Sequence, residues 1–324
     1  MAATGTVTPL RLDHGGGHEP VAVIDRNGAD ECVHHGTVIV RTADGAVTAL
    51  AGSADLTVYP RSALKPLQAT AMLTAGVRLD DRQLALACAS HDGSPEHLAV
   101  VLSTLAGVGL DETALATTPD LPYDRTEAER VLAAGGGRTP VQMNCSGKHA
   151  AMIATCVANG WPIEGHLAPE HPLQSHIASE VDRLTGGALV HIGVDGCGAP
   201  THMVTMTGLL TAIAAIADEA GAVWRAMTAH PGLVGGPTRP VTRLMQAVPG
   251  LMAKDGAEGV MVAAVPDGRA VAVKIADGAM RAAVPVAAAA LRRVGVDVPP
   301  AVDADLAPPA LGGGRPVGAV RSLL

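Results

Sequence analysis

The chain has 324 residues, with 23 Lys and Arg against 31 Asp and Glu and a formal charge of −8, so a nucleic-acid or anionic-membrane partner is not expected. Apolar residues make up 48%, and a chain of ~300 residues buries roughly three-quarters of its unfolded surface, which excludes disorder as a class. Two Trp, two Tyr and no Phe leave little to stack on bases, and the core must be filled by Ala, Val, Leu, Ile and Met.

The opening residues, MAATGTVTPLRLDHGGGHEP, lack the apolar run of a secretory signal. Residues 1–19 and 299–324 are expected as loosely held ends around one catalytic domain at 20–298, of two lobes at most. Strands are predicted at 21–26, 37–42 and 47–51, the last two joined by an Asp-Gly turn at 44–45. From about 62 to 250 helical patterns dominate. Ser94-Pro95-Glu96 opens one helix with a cap and a first-turn Pro. Others are predicted at 149–159, 170–184, 203–219 and 238–248. The apolar runs LALACA at 84–89 and ALVHIG at 188–193 are predicted as buried strands. The uncharged stretch 196–217 turns apolar only from Met203, too short for a bilayer span of about 20 residues. Residues 260–278 form a predicted hairpin around Pro266-Asp267-Gly268, and 282–294 a closing Ala-rich helix. Strands at both ends with a helical middle point to an α+β sheet completed by the two ends of the chain. Five cysteines in no regular framework fit a reducing compartment, hence a cytoplasmic protein.

Four places could carry chemistry. In Tyr59-Pro60-Arg61-Ser62-Ala63-Leu64-Lys65-Pro66, a Ser and a Lys three apart share a face if the segment is helical. A Ser hydroxyl needs an adjacent base, and a Lys serves only if burial or another cation drives it neutral. The plain alternative is a capped helix start with a solvated Lys. Pro66 biases Lys65 away from the α region, so a tight turn at the helix mouth is expected. Ser90-His91-Asp92-Gly93 closes a predicted strand, where pocket residues often sit, but three successive side chains diverge and cannot form a triad. A plain turn is the rival reading. Cys145 and Cys197 each lie beside glycines at a predicted helix start, which favours thiolate. With a nitrogen they would make a three-ligand metal site, and spacing alone selects His149 for it. A Cys145–Cys197 disulfide and two buried thiols are the alternatives. Lys274 lies inside a β-rich run, as a functional lysine or as an edge-strand guard charge. Lys254-Asp255-Gly256 has a carboxylate where the Lys-Thr-Gly element of β-lactamases has a hydroxyl, and is set aside.

Taken jointly, RSALKPLQA at 61–69, CASHDG at 88–93, NCSGKHAAM at 144–152, DGCGAP at 195–200 and VKIADG at 273–278 resemble the L-asparaginase II family. That is the zinc-containing, rhizobial-type (class 3) asparaginase group. The likeness runs in order from about 21 to 280, with Cys32 where a Ser is expected. It implies a β-lactamase/DD-peptidase-like serine hydrolase fold and a homodimer that hydrolyses L-asparagine to L-aspartate and ammonia. By matching motif it implies two Ser-Lys pairs, Ser62 with Lys65 and Ser90 with Lys274. It implies a zinc ion on Cys145, Lys148 and Cys197, replacing His149 by Lys148. Arg61, His149 and Asp195, flanking these positions, are candidates for holding the substrate's amino-acid end, and Gly93 and Gly198 for presenting N–H groups to an oxyanion. In this scheme Ser62 is acylated with Lys65 as its base, and Ser90 and Lys274 relay the proton to ammonia. The rivals are another serine amidase or glutaminase, and a non-catalytic zinc-dependent amino-acid-binding protein.

Overall fold

The computed structural model describes residues 17–324. Most of the N-terminal segment expected to be loose lies outside the described residues. The strands are β1 (Glu19–Arg26), β2 (Ala29–Arg41), β3 (Val47–Ala51), β4 (Thr57–Val58), β5 (Leu189–Val194), β6 (Pro200–Thr205), β7 (Met252–Gly256), β8 (Val260–Ala264), β9 (Ala270–Ile275), β10 (Pro309–Gly312) and β11 (Arg315–Ser322). The helices are α1 (Lys65–Thr74), α2 (Asp81–Ala87), α3 (Pro95–Ala106), α4 (Arg125–Ala133), α5 (Ser146–Asn159), α6 (Pro172–Leu184), α7 (Met206–Asp218), α8 (Ala222–Ala229), α9 (Pro231–Val234), α10 (Pro240–Ala247), α11 (Met280–Arg293) and α12 (Asp303–Leu306).

The main sheet is antiparallel in the order β10-β11-β1-β2-β9-β8-β7, with β3 also on β2. A second sheet runs β4-β6-β5. This is the α+β arrangement expected, with N- and C-terminal strands side by side. β8 is buried at every residue and β9 at all but Lys274. Successive residues of a strand face opposite sides, so both faces here are covered. Helices α7 and α11 both pack on β8 and β9, and their many alanines let the helices approach closely without aromatic filling. Val38, Ile39, Val271, Val273 and Leu291 lie in that core.

Four expectations are corrected. Residues 84–89 are not a strand but lie largely in α2: LALACA has no β-branched residue, and Asp80 and Gln83 form a capping box that starts a helix. Residues 188–193 do form strand β5, but as the edge of the small sheet it is largely exposed rather than buried. The run 203–219 divides, because Thr205 ends β6 and its hydroxyl caps the Gly208 N–H to start α7. The C-terminal segment is not loose either. β11 pairs with β1, placing Ala22 opposite Ser322 and Ile24 opposite Val320, while Asn27 donates to the Val317 carbonyl. Its Gly and Pro composition hid a strand whose pairing lies nearly three hundred residues away in sequence. Among the described residues no single helix is long and apolar enough to cross a membrane. The uncharged stretch becomes β6 and the buried helix α7.

Candidate functional site

The Ser62 segment forms a 3-10 turn, Arg61–Leu64, that runs straight into α1 at Lys65. Pro66 occupies the first turn of α1, where a missing N–H costs nothing. The expected bias against the α region does not hold: Lys65 has φ −58° and ψ −35°. It does sit at the helix mouth, as Pro66 suggested, though in helical rather than turn conformation. Ser62 is half-buried. Lys65 is 1% exposed, and its Nζ donates to the Ala89 carbonyl, to Ser90 Oγ at 3.2 Å and to Cys145 Sγ at 3.1 Å. The serine that Lys65 touches is therefore Ser90.

Residues 90–92 are clamped by their backbone. Ser90 N–H donates to Val234, His91 N–H to Asn144 and Asp92 N–H to Gly235. The three side chains go to three different partners: Ser90 to Lys65, His91 Nε2 to Ser146 Oγ at 2.9 Å, and Asp92 to Arg239 at 3.2 Å. Burial pushes His91 well below its ordinary pKa, so it acts here as a neutral packing and hydrogen-bonding group.

Cys145 is the N-cap of α5, and Lys148 and His149 follow in its first turn. Cys197 is not at a helix start: DGCGAP is a turn into β6, closed by Asp195 N–H on Ala199 and Gly198 N–H on Asp195. Cys145 Sγ donates to Asn144 Oδ1 at 3.1 Å; its thiol is pushed up by the neighbouring Cys197 and by burial, while Cys197, beside Cys145 and Lys148, is held low. No disulfide joins them. Lys148 Nζ is 3.3 Å from Cys197 Sγ. Burial works to lower Lys148, but Cys197, Cys145 and Asp195 outweigh it and raise its pKa. His149 is fully buried with neither ring nitrogen hydrogen-bonded, and burial lowers it to about 4. Among the described residues no three His, Cys, Asp or Glu side chains gather as a metal site. Lys148 Nζ is hydrogen-bonded to Cys197 Sγ, whereas His149 makes no hydrogen bond there.

Arg61 Nε pairs with Asp195 at 2.7 Å, which brings two of the candidate substrate-binding residues together. Arg61 has φ +53°, an uncommon conformation for a non-glycine residue and one often found at functional sites. Gly198 has φ +85°, but its N–H is already used by Asp195 and does not face an oxyanion.

Lys274 is not brought to Ser90. Its Nζ donates to the Glu258 and Ile275 carbonyls. β9 is separated from β7 by β8, and two strand spacings are ~10 Å. The lysine that joins the site is Lys254, the one set aside. Lys254 and Gly256 leave β7 on the same face. A Cβ at Gly256 would lie 2.2 Å from the Pro60 carbonyl oxygen and 2.9 Å from the Ala63 nitrogen, so that face abuts the Ser62 turn. Lys254 is fully buried, with Nζ 2.5 Å from Asp255 Oδ1, and desolvation, helped by Lys65, lowers it to about 8. A buried lysine in the apolar setting LMAKDGAEGVMV was the available sequence signal. Arg239, which bridges Asp92 and Asp255, carried no signal beyond preceding a Pro. Gly256→Ala is expected to cost about 1–3 kcal/mol by overpacking, read as a lower midpoint in denaturant. An unchanged midpoint would show that β7 and the Ser62 turn are not in close contact.

Among solved structures, the chain is similar to a β-lactamase from Mycobacterium bovis at 14% identity, covering 80% of this chain and 94% of that one, with a TM-score of 0.37. It is also similar to SurE determined with D-Leu, at 16% identity over 81% of this chain and 72% of that one, TM-score 0.39. No curated protein matches the chain. The family model for L-asparaginase II matches residues 22–322. The match spans both Cys145 and Cys197 motifs, the Ser62 turn and β7, and the chain therefore belongs to the L-asparaginase II family.

Proposed function

We propose that the protein hydrolyses L-asparagine to L-aspartate and ammonia through an acyl-enzyme on Ser62. Beside the family membership, the observation that supports this reading is the convergence at the Ser62 turn of two buried lysines, one charge-paired to Asp255 and one bonded to a second serine. A second cation in an apolar site lowers a buried lysine's affinity for its proton, as Lys65 does for Lys254, which favours a neutral base. Lys254 is the lysine displaced downward, to about 8. In the reaction the Ser62 hydroxyl attacks the side-chain amide carbon while a lysine amine accepts its proton. The proton returns to the nitrogen as the C–N bond breaks, and ammonia leaves. Water then attacks the ester, giving aspartate and regenerating Ser62. Ser90, held by Lys65, is placed to pass protons between these steps. Arg61 and Asp195, at the mouth of the site, supply opposite charges for the substrate's α-carboxylate and α-ammonium. The enzyme is read as a cytoplasmic homodimer.

A zinc ion fits the donor set at Cys145, Lys148 and Cys197: two buried free cysteines and a lysine nitrogen 3.3 Å from Cys197 Sγ, all of which carry displaceable protons. Metal binding would displace those protons, since thiolate and neutral amine are the ligating forms. Bound there, zinc would supply a Lewis acid that orients the substrate. The test is ammonia release from L-asparagine, compared with L-glutamine and a chromogenic ester. Turnover of the ester alone would replace this reading by a general serine esterase, and asparagine binding without ammonia by a non-catalytic binding protein. Chelation is expected to remove about one zinc per chain by metal analysis and to raise KM more than it lowers kcat. Complete loss of kcat at saturating substrate would make the metal part of the chemistry.

A further inference from the structure

Behind the site runs a chain of four buried or nearly buried charges: Asp92, Arg239, Asp255 and Lys254. Arg239 N-caps α10 with a side chain only 16% exposed. Its Nη1 lies 3.2 Å from Asp92 Oδ1 and its Nη2 2.6 Å from Asp255 Oδ2, and the guanidinium sits 4.6 Å above the Tyr123 ring centroid. Each oxygen of Asp255 thus serves one cation, Oδ2 for Arg239 and Oδ1 for Lys254. The packing is tight around Asp92, where a Cβ on Gly236 would lie 1.7 Å from Asp92 Oδ2. Such a row contributes little stability compared with apolar packing, because desolvation offsets the attraction. With Lys254 protonated the row is neutral overall; with Lys254 neutral it carries one net negative charge.

We propose that Arg239 is a positioning residue that sets the charge state of Lys254 by taking one oxygen of Asp255, while Asp92 limits how much of its charge Arg239 delivers there. The proposal rests on the reading of Lys254 as a proton acceptor in catalysis. Without Arg239, Asp255 is a full, unshared counter-charge that holds the Lys254 ammonium. With Arg239 in place that counter-charge is divided, and the guanidinium itself repels a second cation. Without Asp92, more of the Arg239 charge falls on Asp255 and Lys254. The groups that bear on Lys254 are Asp255 on its own strand, Arg239 ahead of α10, Lys65 of α1, and the Cys88 thiol after α2. Asp92, Asp124 and Tyr123 act through Arg239 or Asp92. Of these groups the titration variants below alter only Arg239 and Asp92, which carry opposite charges, so their removal must act in opposite directions.

The experiment is a pH titration of the full protein carrying [13Cε]lysine, followed by NMR, with the Lys254 resonance identified by its loss in Lys254→Met. Arg239→Gln is expected to raise the Lys254 pKa by about one unit or more, the size of effect a close charge has. Arg239→Lys should restore most of the wild-type value, and Asp92→Asn should lower it. The ascending limb of kcat against pH should move in the same directions. If Arg239→Gln fails to fold, Asp92→Asn and Arg239→Lys decide the matter. Shifts in the same direction for Arg239→Gln and Asp92→Asn, or no shift in either, would overturn the proposal. Opposite shifts in a protein that releases no ammonia from asparagine would support the coupling and retire the catalytic reading of Lys254 alone.

Discussion

Ser62→Ala is expected to leave a folded protein whose kcat on L-asparagine is lower by about three orders of magnitude or more. Ser62 is half-buried on a turn that makes little of its stability from the hydroxyl, so removing one oxygen should not disturb packing. What is lost is the atom that forms the acyl bond. Ser90→Ala is the comparison, because Ser90 Oγ is the hydroxyl that Lys65 holds at 3.2 Å. If Ser90 only relays protons, its loss should be smaller than that of Ser62, since water can substitute for a relay. Incubation with substrate and mass spectrometry of the intact protein should show an acyl adduct in wild type and none in Ser62→Ala. A Ser62→Ala enzyme that keeps more than about a tenth of kcat, with an adduct still formed, would move the nucleophile to Ser90.

Lys254→Met is expected to lower kcat by about 10²–10⁴-fold, the usual range for a positioned acid–base group, whereas Lys274→Met should have a far smaller effect. Met fills the lysine stem, and Asp255 keeps Arg239 as a partner, so the fold should survive. The sign of the pH dependence follows from the shift. Lys254 is lowered to about 8, chiefly by burial, so the neutral amine grows as pH rises through that value and activity should rise with it. Lys274 titrates elsewhere. Burial also lowers it, but its ammonium rests on backbone carbonyls two strands from β7. A pH–rate profile indifferent to Lys254→Met, or a larger loss in Lys274→Met, would restore the pairing that the motif VKIADG implied.

The sequence by itself determined the α+β class, the strands at 21–51 and 260–275, the helix starting at Ser94, and the family. These are local or motif-borne signals. Alternating β-branched residues, an Asp-Gly turn, a capped Pro-Glu start and the NCSGKH and DGCGAP runs each act within a few residues. Sequence also brought Ser62, Lys65, Ser90, Cys145, Lys148 and Cys197 forward as chemistry-bearing residues. It did not determine which of them touch. Lys65 and Ser90 meet because α2 ends against α1, and Lys254 rather than Lys274 faces the Ser62 turn because β7, at the sheet edge, rests on Pro60 and Ala63. Residue spacing along one strand gives its faces but says nothing of which strand lies at the edge. The strand at 315–322 escaped for the same reason. Its partner is β1, at the opposite end of the chain, and such a pairing has no local signature. The row from Asp92 through Arg239 to Lys254 joins three separate segments of the chain, so only the packed structure could show that these charges share one buried path.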